Sequence, residues 1–543
     1  MYIMRYIRKL RFIVLAMVLV QFVQSQNIDT FKINVDATTV LSGLQPFWAS
    51  QIIHPTEFLL TGWGKELLNT MTENGAALQY VRIYNQPESA IRVSANGEIS
   101  YDWSRFDEMA EMILSTGNKL KIVFFGMPTE LAAYPESVKR RPYGGLVCIS
   151  PPKDYRQWER LCADFTRHVI NKYGIDKVKE WTFRCWNEPD LRSFWHQADL
   201  NEYLKLYDFF AKGVKSVHPE IRIGGPGLSG TRTYKEPQNF RFFCNHVANG
   251  KNHATGEIGS PMDFLSIHTY GGSSGAGGPG RQYPEVDYLM EQQIRLADIR
   301  DEYPALKNVP IHVEEWGETS GGTTGISARP TADVRNSQYG AAFFTTWLER
   351  HIKMRQENDR KFESFTFCAS GYETIPEADY MGYRTLHTKN GFHKPILNAY
   401  KLLSRLGTEL VGITNIVLNE HVSAFATRDS TRITIVVTNY QHDKIDNDGI
   451  TYQLNMDIKT HWNSNSNLTL RHWRIDENYS NSYTAFKKEG SPKLPNPLQV
   501  DAIKKRMELE MLKSPELVTT KELSNIVFQL PCNAVSLIEI IKN

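Results

Sequence analysis

Eight short apolar runs, spaced through two thirds of the chain, constrain its fold more than any other feature. They fall at residues 45–53, 78–84, 120–125, 181–186, 221–225, 264–268, 311–315 and 365–370. Each is too short for a helix and apolar on both faces, the pattern of strands in a parallel sheet covered on either side. Helical periodicity lies between them. Asp154 with Gln157 three residues on reads as a capping box, followed by a face of Trp158, Leu161, Cys162, Phe165 and Val169, with Gly174 as its stop. Asp199 with Glu202 opens a second such helix, faced by Leu200, Tyr203, Leu204, Tyr207 and Val214. Eight strands alternating with helices predict an α/β fold, a (β/α)8 TIM barrel. A doubly wound sheet would need a Gly-rich phosphate turn after an early strand, and this chain has none.

After Gly407 the pattern changes. Segments 424–428, 432–439, 452–458, 468–475 and 535–541 read as strands separated by turn residues, an appended β-sandwich domain. Phe31, Ile33 and Val35 alternate with polar residues, which suits a half-exposed sheet better than a barrel, so that strand is assigned to the second domain. Clustered Asn, Ser, Gly, Lys and Pro predict a long surface excursion over 477–500. The expected organisation is a signal peptide at 1–25, an N-terminal strand region at 26–43 packing on the β-sandwich, a catalytic barrel at 44–407 and the sandwich at 408–543.

The signal peptide rests on Arg5, Arg8, Lys9 and Arg11, followed by an apolar stretch at 12–23 too short to span a bilayer. Cleavage is expected after Ser25, giving a secreted or periplasmic protein with no membrane span in the mature chain. Removing those four residues takes the 62 basic residues to 58, against 60 acidic ones, so nothing points to nucleic acid. Cys148, Cys162, Cys185, Cys244, Cys368 and Cys532 show no Cys-x-x-Cys spacing and read as buried thiols. Neither a metal site nor a cofactor is indicated.

Chemistry enters at two strand ends. The run from Trp181 delivers Asn187 and Glu188, and Pro189 ends it because proline cannot continue the ladder. In a parallel barrel, side chains at the C-terminal ends of strands line the active-site mouth. A second run, from Pro310 through Glu314 and Glu315 to Gly317, also ends in acids. Two such carboxylates, one held protonated and one ionised, are the minimum equipment for cleaving a glycosidic bond.

The Trp186-Asn187-Glu188-Pro189 motif, with Ser150 to Tyr155, His168 to Gly174, Gly224-Gly225-Pro226, Asp263 to His268 and Lys394-Pro395 through Gly407, closely resembles glycoside hydrolase family 39. That family's best-known members are β-xylosidases and α-L-iduronidases, and the matches run in family order over roughly residues 80–407. The resemblance implies a retaining glycoside hydrolase acting by double displacement on oligo- or polysaccharide, β-xylosidase-like or a related exo-glycosidase. A non-catalytic carbohydrate-binding protein on the same fold and a transglycosidase stand as alternatives.

Residue by residue, the resemblance makes Glu188 the acid/base and Asn187 the partner of the sugar 2-hydroxyl. It selects Glu315, directly before an aromatic, as nucleophile. Strand alternation allows only one of the two neighbouring glutamates into the pocket, which sends Glu314 outward. His268 and Tyr270 match groups beside the nucleophile, and Arg82 matches a cation that keeps it ionised. Trp316 and Trp186 are candidate walls for stacking sugar rings or, equally, parts of the barrel packing. Gly271 to Gly280 reads as a mobile loop at the barrel mouth. The run Arg82-Ile-Tyr-Asn85 and the strand-eight run from Thr366 to Tyr372 depart from the β-xylosidase pattern. The catalytic groups are therefore intact while the shell that contacts substrate is atypical.

Overall fold

The computed structural model describes residues 30–543 except 54–55, 74–78, 86, 95–97, 141–145, 231–235, 274–276, 323, 369–377, 415–419 and 465. The expected signal peptide and the end of the expected eighth strand lie outside the described residues.

β1 (Thr30–Gly43) precedes the barrel strands β2 (Ser50–Ile52), β3 (Tyr80–Tyr84), β4 (Lys119–Phe124), β5 (Thr182–Cys185), β6 (Arg222–Leu228), β7 (Phe264–Tyr270), β8 (Ile311–Gly317) and β9 (Phe362–Phe367). β2 to β9 pair in parallel in chain order, and β9 pairs back with β2 through Thr366–Ser50 and Phe367–Gln51, closing the barrel. The helices that follow these strands in turn are α1 (Gly62–Glu73), α2 (Ser104–Ser115), α3 (Tyr155–Tyr173), α4 (Leu200–Val217), α5 (Glu236–Asn249), α6 (Val286–Asp301), α7 (Gln338–Glu357) and α8 (Pro395–Leu403). Every residue of the periodic face read in α3 is buried. Asp154 caps that helix by accepting from Arg156 N at 2.8 Å, and Asp199 caps α4 by accepting from Asn201 N at 2.9 Å.

The first barrel strand is shorter than expected. Phe47 and Trp48 lie in a turn ahead of β2 and are buried in the core, Phe47 against Trp347 and Phe365. Their apolar side chains extended the sequence run beyond the strand.

The second domain comprises β10 (Glu409–Thr414), β11 (Val422–Arg428), β12 (Arg432–Asn439), β13 (Tyr452–Lys459), β14 (Asn467–Ile475), β15 (Glu510–Thr519), β16 (Ile526–Leu530) and β17 (Ala534–Lys542). With β1 they form one continuous nine-stranded sheet in the order β15-β14-β17-β12-β11-β10-β1-β13-β16. β1 runs antiparallel to β10 and parallel to β13, with register shifts between Asp36 and Ser42. Ile33, Ile435, Leu454, Leu468, Leu530 and Ile538, from strands spread across the sheet, share one core cluster. The sheet therefore curls over a single interior, and hydrogen bonding through β1 joins what a sandwich would keep apart.

The expected excursion at 477–500 is instead built around α9 (Ser482–Lys488) and α10 (Pro497–Lys504). The Asn residues read as loop formers are caps. Asn481 accepts from Thr484 N at 3.1 Å, and Asn496 makes a capping box with Gln499 ahead of Pro497. Their Tyr483, Phe486 and Ile503 pack with Tyr380 and Phe392.

α7 is buried nearly all round because it lies between barrel and sheet. Thr345 Oγ1 meets Thr438 Oγ1 at 2.7 Å, and Tyr339 and Tyr440 hydroxyls meet at 2.9 Å. No helix among the described residues is long and apolar enough to cross a membrane.

Candidate active site

Glu188 follows β5 at the C-terminal end of the barrel, on a turn where both Trp186 (φ 62°) and Glu188 (φ 47°) are left-handed. The turn is held by Glu188 N donating to Gly227 O at 2.8 Å and by Trp186 Nε1 donating to Phe194 O at 2.8 Å.

Glu315 comes from β8, where the ladder carries a bulge. Val313 pairs with Ile267 and Glu315 with His268, so Glu314 has no opposite number on β7. The same extra residue appears against β9, where Val313 and Trp316 pair with Phe365 and Phe367. A bulge cancels alternation locally. The expectation that Glu314 points outward is thus corrected: it is 1 % exposed inside the barrel, its Oε1 3.0 Å from Lys121 Nζ.

The expected groups converge around Glu315. Arg82 Nη1 donates to Glu315 Oε1 at 2.9 Å, and Tyr270 donates its hydroxyl to Oε2 at 2.7 Å. His268 Nδ1 lies 2.9 Å from Glu188 Oε1 and 3.6 Å from Glu315 Oε2. One oxygen of Glu188, one of Glu315 and a ring nitrogen of His268 all lie within 4.8 Å of one another. Asn187 Oδ1 accepts from Arg82 Nη2 at 2.8 Å and from Arg184 Nη2 at 2.9 Å. Glu188 and Glu315 keep 9 % and 8 % exposure while Arg82 and His268 have none, so the two carboxylates are the groups a ligand meets.

Electrostatics sharpen these roles. Burial works against the charge on Arg82, but Glu315, Tyr84 and Glu314 together outweigh it and hold the guanidinium more firmly protonated than usual. Burial pushes His268 down, so its imidazole is neutral at pH 7 despite the facing carboxylates of Glu315 and Glu188. Burial pushes the Tyr270 phenol well up, which keeps it a donor. Burial also opposes ionisation of Glu314, yet Lys121, with His312, Arg184 and Arg82, holds its carboxyl well below the usual range.

Trp316 is not a sugar wall. It is fully buried, stacked on Trp347 at 4.2 Å and flanked by Phe344 and Phe367. On the far side of the bulge its ring points outward into the helix layer. Trp186 is likewise buried, against Phe125 and Trp195. In the glycine-rich loop after β7, a Cβ on Gly278 would lie 2.4 Å from the Tyr288 ring, so close packing requires glycine there.

Two residues were not read from the sequence. Arg184 lies within β5, where a charge in an apolar run was the available signal. Asp190 follows Pro189 and accepts from Ser229 N at 3.0 Å and Ser229 Oγ at 2.8 Å. Burial and the neighbouring Glu188 push it up to about 6.

The chain matches the model of Glycosyl hydrolases family 39 over residues 31–520. It belongs to that family. This glycoside hydrolase is 26 % identical to a β-xylosidase of Caldicellulosiruptor saccharolyticus over 93 % of its own length and 97 % of the relative's. It is 24 % identical to the α-L-iduronidase of Mus musculus over 52 % of this chain and 43 % of that one. The crystal structure of a monomeric β-xylosidase from Caulobacter crescentus CB15 shares its fold, with a TM-score of 0.76, 22 % identity, and coverage of 94 % and 99 % of the two chains.

Among the described residues, two groups of side chains could each present three donor atoms within 4.8 Å to a cation: Glu188, His268 and Glu315, and, away from the barrel mouth, Asp208, His246 and His253. In the second group the Asp208 carboxylate already accepts from His246 Nε2 at 3.0 Å and His253 Nδ1 at 2.8 Å.

Proposed function

We propose that this glycoside hydrolase cleaves its substrate by double displacement, with Glu315 as nucleophile and Glu188 as acid and then base. The supporting observation is the approach of the two carboxylates to within 4.8 Å. Retaining enzymes space theirs at about 5–5.5 Å and inverting ones at about 6.5–9.5 Å, which leaves room for a water. The partners divide the roles. Glu315 receives a buried cation and a phenol, which stabilise the ionised form an attacking group needs. Glu188 instead accepts from the His268 imidazole and sits beside Asp190.

In the first step Glu315 attacks the anomeric carbon while Glu188 protonates the departing oxygen. In the second, Glu188 takes a proton from water, which displaces Glu315 with net retention. For substrate, we infer a xyloside-type glycan. The full-length match is to a protein named β-xylosidase, whereas the α-L-iduronidase match spans half the chain. The basic and apolar N-terminal segment supports export, with the mature chain starting at Gln26.

A panel of aryl glycosides (β-xyloside, β-glucoside, α-L-arabinofuranoside, α-L-iduronide), with the first-formed anomer read by NMR, tests both parts. β-Xyloside turnover with retained configuration is expected. An inverted first product contradicts the mechanism, and turnover of another glycoside alone contradicts the substrate.

A further inference from the structure

Arg184 is a charge in the middle of an apolar strand and is 1 % exposed. Its guanidinium lies beneath three groups at once. Nη2 donates to Asn187 Oδ1 at 2.9 Å, Nη1 lies 3.3 Å from His268 Nε2, and Nε is 3.7 Å from Glu314 Oε2. Burial and Arg82 lower it only to about 10, so it stays charged at neutral pH.

A guanidinium has donors and no acceptor, and that decides the state of both neighbours. The Asn187 atom facing Arg184 and Arg82 is the amide oxygen, because a nitrogen there would oppose donor to donor. Its NH2 group is then turned away from both arginines, and it makes no hydrogen bond among the described residues. The His268 nitrogen facing Arg184 carries the lone pair, so the ring proton sits on Nδ1. Nδ1 donates to Glu188 Oε1 at 2.9 Å. With Oε1 accepting, the proton that Glu188 transfers sits on Oε2.

We propose that Arg184 is a positioning residue that sets two active groups together: it aims the Asn187 NH2 at the sugar 2-hydroxyl and locks His268 in the tautomer that reserves Glu188 Oε2 for the leaving group. This rests on the reading of Glu188 as acid/base. The planar fork matters because Nη1 and Nη2 face the two partners from fixed, separated positions, whereas the three donors of a lysine radiate from one nitrogen and do not reproduce that spacing. Glu314, kept ionised by Lys121, supplies the counter-charge that lets a second arginine sit beside Arg82.

The test crosses two leaving groups with two sugars: dinitrophenyl and alkyl glycosides, each with and without the 2-hydroxyl. A dinitrophenolate leaves without a proton, so the activated pair isolates the Asn187 contact. Arg184→Met is expected to lower kcat/KM about 10²-fold on the activated 2-hydroxy substrate, in line with loss of one transition-state donor, and less than about 5-fold on its 2-deoxy analogue. On the alkyl glycosides a further loss of about 10-fold is expected from the disordered acid. In an Asn187→Ala background the activated-substrate penalty should fall to about 3-fold, because coupled residues are non-additive.

An equal loss on all four substrates, no loss on any, or a fully additive double mutant each overturns the proposal. If Arg184→Met does not fold, Arg184→Lys keeps the buried charge and carries the same test. It is expected to restore at most one of the two effects, and restoring both would show that charge alone suffices. Glu188→Ala run in parallel separates the two readings: if it shows no dependence on leaving group, the role of Glu188 fails and that of Arg184 falls with it.

Discussion

Glu314 and Glu315 are neighbours in sequence, yet both enter the barrel and meet different cations, Glu314 Oε1 at 3.0 Å from Lys121 and Glu315 Oε1 at 2.9 Å from Arg82. The bulge in β8 makes this possible by exempting one residue from alternation. One carboxylate becomes a sealed counter-ion and the other stands at the mouth with a face open to ligand. Two acids adjacent along the backbone are thus placed differently, one sealed among cations and one facing the mouth.

Removing only the deeper acid should cost stability. Glu314→Ala leaves Lys121 and Arg184, each 1 % exposed, without their shared counter-charge, and breaking such a buried pair typically costs about 3–5 kcal/mol. Lys121→Met with Glu314→Leu should recover only part of that loss, since Lys121 is then no longer stranded while Arg184 still lacks its counter-charge. Urea midpoints at pH 7 test both. The sign with pH follows from the depressed carboxyl: its stabilisation is present above the ordinary value of 4.5 and is lost as pH falls toward the lower folded value.

Tyr270→Phe removes the 2.7 Å bond to Glu315 Oε2 with little change in packing. The carboxylate then loses a donor to its charged form, so its pKa rises. The acidic limb of kcat/KM against pH should move to higher pH, with a loss of about 10–10²-fold at the optimum. An unmoved limb would mean that Tyr270 does not act on Glu315.

Acid should loosen the β domain through His472. This ring is 3 % exposed, against Phe528 and Ser536, and burial together with Arg474 and Lys513 lowers it from 6.5 to about 3. The folded state holds it neutral while the unfolded chain protonates it. Its contribution is therefore intact above pH 6.5 and is lost as pH falls toward 3, by about 1.4 kcal/mol per unit at most. His472→Gln should flatten the stability–pH curve across that window by about one proton's worth.

Much of this was legible in the chain because it rests on local signals. Barrel strands announced themselves as short apolar runs, and the caps at Asp154 and Asp199 marked where helices begin. Glu188, Glu315, Arg82, His268, Tyr270 and Asn187 converge in space. What stayed hidden depends on geometry that residue types do not encode. A bulge has no sequence signature here, so alternation sent Glu314 the wrong way and left Trp316 looking available to a sugar. β15 is a half-exposed edge strand interrupted by Pro515, without the alternation that reveals an inward face. Asn481 and Asn496 serve turns and helix caps equally well, and only the helices behind them decide which.

The division of labour between Glu188 and Glu315 is tested most directly by azide on the two alanine variants, with a dinitrophenyl glycoside as substrate. Glu188→Ala should still form the covalent intermediate, because this leaving group needs no proton, and then stall for want of a base. Azide should restore turnover about 10²–10⁴-fold, the usual scale of general acid–base assistance, and yield a glycosyl azide of retained configuration. Glu315→Ala should form no intermediate, and azide should give only the inverted product. Retained azide from Glu315→Ala, or no azide product from Glu188→Ala, would contradict the assignment.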